Sequence, residues 1–214
     1  MNRRHFISTA TLAIAAGLPG AAAWAQSGTG PTVLIMGDSL SAEYGLKRGE
    51  GWVALLEQRL AKEKIPARIV NASISGETTA GGKSRLAALL NQHKPDTVVI
   101  ELGANDALRG LPVTQTQANL AAMVDASKAA GAKVLIVGIQ VPPNYGMAYL
   151  NSFSKIFASV STISKVPMVP FMLKGVADGP DAAAMFQADR IHPVAAAHPR
   201  ILDNIWPELR KLLK

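Results

Sequence analysis

The sequence predicts an α/β fold in which helices cover both faces of a parallel, five-stranded sheet. Five short apolar runs alternate along the chain with segments whose apolar residues recur at helical spacing. Strands that are buried on both faces are apolar along their whole length, and strands connected through helices run parallel. The chain has 214 residues, of which 49% are hydrophobic, so it is long enough for one such domain with a substantial core.

The predicted strands are apolar runs that end at turn residues. The first ends at Gly37, and the fourth ends at the pair Pro142-Pro143. In chain order the strands cover residues 32–36, 67–71, 97–102, 133–141 and 166–171. The predicted helices cover residues 52–64, 84–93, 114–130, 149–165 and 195–213. Pro207 lies inside the last helix, where we expect a bend.

The first 25 residues have the pattern of a signal peptide. An arginine pair precedes an Ala-rich apolar run, and Ala23-Trp24-Ala25 provides a small-x-small cleavage site. The arginine pair favours the twin-arginine export route over the general secretory route. A retained membrane anchor is the alternative, but glycine and proline interrupt the short run. We therefore expect a periplasmic or secreted protein with no membrane span after cleavage. Its segments are a signal peptide over 1–25, a linker over 26–30 and a single domain over 31–214.

The composition excludes several classes of protein. The chain has no Cys, so it has no disulfide, no thiolate metal site and no cysteine nucleophile. The formal net charge of +7 is spread along the chain without a basic block, which is not the pattern of a nucleic-acid-binding surface. The pair His192 and His198 lacks helical i,i+4 spacing and a third obvious ligand, so we expect no metal site.

Polar residues or glycine follow each of the first three predicted strands. Ser39 follows the first strand and can open the next helix, while Gly76 and Asn105 follow the second and third. In parallel sheets, ligands bind outside the carboxyl ends of the strands, so these residues are expected to meet at one edge. The N–H groups of Ser39 and Gly76 and the amide of Asn105 are candidate donors to a developing oxyanion.

An aspartate and a histidine follow the fifth predicted strand. Asp189 and His192 are three residues apart, so a turn can bring the carboxylate to the imidazole and hold it in one tautomer. A serine hydroxyl is a poor nucleophile until a base such as this imidazole accepts its proton. The pattern therefore indicates attack by Ser39 on a carbonyl carbon.

Four separated blocks carry a family resemblance, and they occur in order as GDSLSAEYGL, VNASISGETTAGG, ELGANDALRGL and QADRIHP. The chain resembles the SGNH, or GDSL, hydrolase superfamily over nearly all of residues 31–214. Within it, the chain is similar to the bacterial periplasmic arylesterase, type-I acyl-CoA thioesterase and lysophospholipase group. The resemblance implies a flavodoxin-like three-layer α/β/α sandwich, no cofactor, and hydrolysis of small-molecule acyl esters or thioesters. It implies these site residues: nucleophile Ser39, oxyanion-hole residues Ser39, Gly76 and Asn105, orienting acid Asp189 and base His192.

Three positions depart from the pattern of that superfamily. Ala107 and Arg190 stand where Gly is common, and His198 replaces a common Gln. None of these changes removes a catalytic group. Arg190 adds bulk and charge beside the base, which bears on substrate preference more than on activity.

Substrate-binding residues are expected in two segments. Residues 107–113, with Leu108, Leu111 and Pro112, follow Asn105 and can flank an acyl groove. A second wall is expected from residues 142–149, with Tyr145, although the same residues could form a plain loop.

Two other functions fit the same blocks. A carbohydrate O-acetylesterase would use the same site, although aromatic residues are only 5% of the chain. A non-catalytic lipid-binding protein would carry the fold without reactivity at Ser39. A phosphate loop within GETTAGGKS is rejected, because five residues instead of four separate Gly76 from Gly82 and Glu77 would repel a phosphate.

Overall fold

The computed structural model describes residues 30–141 and 145–214. The expected signal peptide and residues 26–29 of the expected linker lie outside the described residues.

In the described part of the chain, five strands form one parallel sheet in the order β2-β1-β3-β4-β5. Their bounds are β1 Thr32–Gly37, β2 Arg68–Asn71, β3 Thr97–Glu101, β4 Lys133–Val137 and β5 Met168–Val169. The strand order reverses direction between β1 and β3. The chain adds β2 on one side of β1 and then crosses to add β3, β4 and β5 on the other side. In open parallel sheets such a reversal leaves a crevice at the carboxyl ends of the central strands, where ligands bind.

Helices cover both faces of the sheet. They are α1 Trp52–Lys62, α2 Thr79–His93, α3 Ala104–Leu108, α4 Val113–Ala129, α5 Met147–Ser164 and α6 His198–Leu212. Helix α1 packs against α6, and α2 packs against α4, which in turn packs against α5. The predicted three-layer α/β/α fold is confirmed. No helix in residues 30–141 or 145–214 combines the length and the apolar character needed to cross a membrane.

The core is centred on the two middle strands. Every residue of β1 and β3 is buried, as continuous apolar strands between two helical layers require. Trp52 opens α1 and is fully buried, and its Nε1–H donates to Ser41 Oγ at 3.1 Å. Because β1 and β3 are held on all sides, the loops that leave them start from fixed positions.

Helix α2 begins at Thr79, five residues before the predicted start at Ser84. A glycine pair at 81–82 lowers helix propensity, which hid this first turn in the sequence. Thr78 caps the helix by accepting a hydrogen bond from the Gly81 N–H at 3.2 Å. Gly82 is required by packing, since a Cβ there would lie 2.4 Å from Leu102 Cδ1.

The other differences between predicted and observed element bounds lie mainly in β4, in the edge strand β5 and in the last helix. Strand β5 has only two residues, and β4 ends at Val137 rather than at Val141. Gly138 lies so close to the neighbouring chain that a Cβ would be 2.5 Å from the Pro170 oxygen. The last predicted helix is divided into a 3-10 turn at Ala195–Ala197 and α6.

Candidate active site

Ser39 lies in the turn that leaves β1, at the carboxyl edge of the sheet. We call residues 38–45 the Ser39 turn. The expectation that Ser39 opens a helix is wrong, because a series of turns follows it and α1 begins only at Trp52. The N–H groups of Ser41 and Ala42 donate to the Asp38 carbonyl at 3.2 and 3.0 Å, which closes the chain tightly around the serine.

Two buried carboxyl groups anchor the Ser39 turn. Glu101, the last residue of β3, accepts hydrogen bonds at Oε2 from Ser41 Oγ at 2.7 Å and from the Asp38 N–H at 3.3 Å. Asp38 accepts at Oδ1 from the Leu40 N–H and at Oδ2 from the Asn105 amide, each at 3.0 Å. Hydrogen bonds to Glu101 thus fix the Ser39 turn to the neighbouring strand β3.

Burial changes the pKa of both carboxyls. Loss of solvation raises the pKa of Asp38 to about 6, against the opposing effect of the Leu40 N–H hydrogen bond. The pKa of Glu101 is raised well above its ordinary value by burial and then by the charge of Asp38. Because the charge of Asp38 raises the pKa of Glu101, ionisation of both carboxyls at once is disfavoured. A carboxyl inside the apolar strand β3 was the sequence signal for this pair, and it was overlooked.

His192 and Asp189 lie together on the loop that precedes the last helix. His192 Nδ1 is 2.6 Å from Asp189 Oδ2, and His192 Nε2 is 2.8 Å from Ser39 Oγ. With the proton on Nδ1 donated to the carboxylate, Nε2 is free to accept the serine proton. Ser39, His192 and Asp189, which were expected to act together, therefore form a continuous series of hydrogen bonds.

The Asp189 carboxylate is held by its own loop. Its Oδ1 accepts from the N–H groups of Ile191 at 2.9 Å and of His192 at 3.0 Å. Hydrogen bonds from the His192 side chain and backbone lower the pKa of Asp189 to about 2. Arg190, between them, adopts a φ of +58°, a conformation that glycine takes more easily.

The expected oxyanion donors face the same cavity as Ser39 and His192. Gly76 and Asn105 both line it. Gly76 has a φ of +79°, which a glycine adopts without strain, and its carbonyl accepts from Arg109 at 2.8 Å. Among the described residues, the N–H groups of Ser39 and Gly76 have no hydrogen-bond acceptor. Asn105 was expected in a loop but lies in the first turn of α3, where Asp38 orients its amide.

The cavity has a volume of about 650 Å³ and is mostly apolar. Ser39 and His192 lie in its lining together with apolar side chains that include Leu40, Leu108, Ile139, Val141, Phe171 and Leu173. Of the expected substrate-binding residues, Leu108 belongs to this lining.

Leu111, Pro112 and Tyr145 lie outside the lining that the described residues form. The chain turns at Gly110, with a φ of +63°, and enters α4 at Pro112. The Leu111 carbonyl accepts a hydrogen bond from the Tyr149 hydroxyl at 3.4 Å. The Tyr145 ring lies against Tyr149 of α5, with their centroids 6.1 Å apart.

The remaining histidine near these elements has a structural environment. His198 is buried at the start of α6, where its Nδ1 accepts from the Trp52 N–H at 3.0 Å. Tyr44 was not singled out in the sequence, yet its ring lies on the His192 ring with centroids 4.3 Å apart. Positions 44 and 192 are 148 residues apart in the sequence, so only the fold brings the two rings together.

Comparison with known proteins agrees with this geometry. A sequence model of the GDSL-like lipase/acylhydrolase family matches residues 35–200. The chain is 53% identical to "Esterase TesA" of Pseudomonas aeruginosa over 188 residues, which is 88% of this chain and 92% of the relative. It is 41% identical to "Thioesterase 1/protease 1/lysophospholipase L1" of Escherichia coli (strain K12) over 182 residues, 85% of each chain.

A solved structure titled "Crystal Structure of TesA" is similar as well. It superposes with a TM-score of 0.81 at 54% identity and covers 85% of this chain and 99% of that chain. The family match spans well over half of the sequence, and both curated relatives are matched over most of their length. The chain belongs to the GDSL-like lipase/acylhydrolase family and is an ester hydrolase.

Proposed function

We propose that the protein hydrolyses acyl esters and thioesters through an acyl-enzyme formed on Ser39. His192 is the general base and Asp189 is the carboxylate that orients it. The observation that carries this proposal is the hydrogen-bonded series in which Ser39 Oγ lies 2.8 Å from His192 Nε2 and His192 Nδ1 lies 2.6 Å from Asp189.

The reaction begins when Ser39 Oγ attacks the acyl carbonyl carbon and transfers its proton to His192 Nε2. The carbonyl oxygen becomes an oxyanion, which accepts hydrogen bonds from the Ser39 and Gly76 N–H groups and the Asn105 amide. Collapse expels the alcohol or thiol, which takes the proton from His192. A water molecule then gives a proton to His192 and attacks the acyl-enzyme, and the acid leaves as Ser39 recovers its proton.

The cavity supports an apolar acyl group as the recognised part of the substrate. Its volume of about 650 Å³ lies within the usual range for small-molecule sites, roughly 300–1,000 Å³. The apolar lining, with Leu108 and Phe171, suits a fatty-acyl or aryl group better than a sugar. The names of the two relatives, an esterase and a thioesterase/lysophospholipase, support both oxygen and sulfur leaving groups.

A series of p-nitrophenyl esters tests the substrate class. We expect kcat/KM to rise from acetyl to hexanoyl, because each buried CH₂ contributes about 0.8 kcal/mol, or roughly fourfold in kcat/KM. Matched acyl-CoA and lysophospholipid substrates then separate thioester from ester preference. A preference for acetyl over hexanoyl would instead favour an O-acetylesterase.

The N-terminal segment supports export. We propose that residues 1–25 are removed as a signal peptide, that 26–30 form a linker and that 31–214 form the hydrolase domain, which then acts in the periplasm or outside the cell. Mass spectrometry of the protein recovered from the exported fraction should give an N-terminus at Gln26. Replacing Arg3 and Arg4 with Lys should retain the precursor in the cytoplasm if the twin-arginine route is used.

Replacing the nucleophile tests the mechanism directly. Ser39→Ala should lower kcat for p-nitrophenyl hexanoate by at least about 10³-fold, because no other group can form the acyl-enzyme. Ser154→Ala is the matched control, since Ser154 is an exposed helical serine that bonds only to the Asn151 carbonyl. Near-native turnover by Ser39→Ala, at an unchanged thermal midpoint, would show that the proposed mechanism is wrong.

A further inference from the structure

The loop that carries Asp189 and His192 is closed by its own backbone. We call residues 186–193 the His192 loop. Its ends pair as an antiparallel bridge between Phe186 and Pro193, and beyond them the Val194 N–H donates to the Met185 carbonyl at 2.9 Å. The loop belongs to no helix or strand of the sheet, and residues 188–191 are exposed. Its position must therefore be set by a small number of specific contacts.

Gln187 holds the inside of this loop through its backbone. Its N–H donates to the His192 carbonyl at 2.8 Å, and its carbonyl accepts from the Arg190 N–H at 2.9 Å. The second bond closes the turn in which Arg190 takes its positive φ. These bonds keep Asp189 and His192 together whatever the side chain of Gln187 does.

The side chain of Gln187 connects the His192 loop to the Ser39 turn. Its Nε2 donates to the Tyr44 carbonyl at 2.9 Å and to the Pro193 carbonyl at 3.1 Å. Both bonds use one amide, which therefore ties the backbone of the nucleophile segment to the backbone beside the base. Among the described residues, the only other hydrogen bond between these two segments is the one from Ser39 to His192.

Gly45 provides the space for this amide. A Cβ at Gly45 would lie 2.1 Å from Gln187 Oε1, and the residue has a φ of +71°. Next to it, the Tyr44 ring lies 4.3 Å from the His192 ring, so the carbonyl that Gln187 holds belongs to the residue that covers the imidazole. The backbone of the Ser39 turn is shaped to receive Gln187.

We propose that Gln187 is a positioning residue whose side-chain amide keeps His192 Nε2 at hydrogen-bond distance from Ser39. This inference rests on the proposed function, because it gives a role to a residue that touches neither substrate nor reacting atoms. A displacement of about 1 Å between reacting groups can cost about 10²-fold in rate. Without the amide, the one hydrogen bond left between the two segments, among the described residues, is that from Ser39 to His192, beside the contact of the Tyr44 ring.

Gln187→Met tests the proposal, since methionine has a similar length but no N–H donor. We expect kcat for p-nitrophenyl hexanoate to fall about 10–100-fold, with KM changed by less than about threefold. The rate of labelling by a fluorophosphonate should fall by the same factor. The low-field proton NMR signal of His192 Nδ1–H should persist, because Asp189 lies on the same loop. Gln117→Met is the matched control, since the Gln117 amide bonds to Ser159 between α4 and α5.

A double-mutant cycle with Gly45→Ala makes the test independent of a general loss of stability. Gly45→Ala alone should lower kcat for two reasons: its methyl group displaces the Gln187 amide, and its φ of +71° strains a residue that has a Cβ. Only the first loss depends on Gln187. In the Gln187→Met background, the same change should have a clearly smaller effect. Additive losses would overturn the proposal, as would native kcat and labelling in Gln187→Met. Loss of the low-field signal would also overturn it, because the loop itself would then have come apart.

The outcomes for Gln187 and for the proposed function are separable. Ser39→Ala, assayed in the same series, reports on the acyl-enzyme mechanism alone. Activity in Ser39→Ala would reject the proposed function, whereas native activity in Gln187→Met beside an inactive Ser39→Ala would reject only the positioning role.

Discussion

The Ser39 turn and the His192 loop supply the two halves of one site, but they are held in different ways. The Ser39 turn leaves the fully buried strand β1 and is bonded to Glu101 on the next strand. The His192 loop follows no long strand, is largely exposed, and is held by hydrogen bonds within itself and through Gln187. The position of the proposed nucleophile is thus set by the sheet, whereas the position of the proposed base depends on polar contacts within the His192 loop and through Gln187.

The pKa values of the carboxyl groups in the two segments are shifted in opposite directions. Burial raises the pKa of Asp38 to about 6, whereas hydrogen bonds lower the pKa of Asp189 to about 2. Asp189 therefore remains a carboxylate across the whole working range of pH. Asp38, in contrast, changes its protonation state near neutrality.

The largest effect is expected when the exposed carboxylate is neutralised. Asp189→Asn should lower kcat by up to about 10⁴-fold. The amide oxygen would keep the two backbone N–H groups that Oδ1 accepts from, so the NH₂ group would face His192 Nδ1, donate to it and favour the wrong tautomer. In the wild type, Asp189 stays ionised down to about pH 2, so protonation of Asp189 should not limit activity between pH 4 and 9. A pH profile of kcat/KM from pH 4 to 9 measures this. Native turnover in Asp189→Asn would contradict the proposal that Asp189 orients the His192 imidazole.

An intermediate effect is expected at Asn105, the proposed oxyanion donor whose amide also donates to Asp38. Asn105→Ala should lower kcat about 10²–10³-fold with little change in KM, because its amide acts on the oxyanion and not on the bound ester. Asn151→Ala, on the exposed face of α5, is the matched control. A rise in KM with unchanged kcat would assign Asn105 to substrate binding instead.

The smallest effect on rate, but a distinct effect on stability, is expected at Asp38. Asp38→Asn has one oxygen where the carboxylate has two, so it cannot accept from both Leu40 and Asn105, and kcat should fall about tenfold. The folded-state pKa of about 6 lies above the unfolded value, so the wild type loses free energy of unfolding as pH rises from about 4 to about 6. Asp38→Asn should reduce this loss.

Urea unfolding at several pH values between 4 and 8 measures that difference. The contribution that remains in Asp38→Asn is expected from Glu101, whose pKa is raised in the same direction. If the pH dependence of the variant were the same as that of the wild type, Asp38 would not be the buried group that titrates near neutrality.

Much of the site could be predicted because its residues follow strands. Ser39, Gly76 and Asn105 each come soon after an apolar run, and parallel strands bring such positions to one edge. The strands themselves are indicated by local hydrophobicity, which also predicted the fold class. Asp189 and His192 could be paired because their contact is local, three residues apart.

What could not be predicted depends on contacts between distant positions. Glu101 and Ser41 are 60 residues apart, and Gln187 meets the Tyr44 carbonyl across 143 residues. The start of α2 was missed because a glycine pair has low helix propensity, although packing against Leu102 requires one of its members. Leu111 was placed near the substrate by adjacency in sequence, but it lies outside the cavity lining that the described residues form.

The most direct test of the account is to locate the adduct that a fluorophosphonate forms with the wild-type protein. Peptide mass spectrometry should place a single phosphonyl group on Ser39, with labelling slowed in Asp189→Asn and absent in Ser39→Ala. An adduct on another serine, or ester hydrolysis that continues with Ser39 fully modified, would contradict the account.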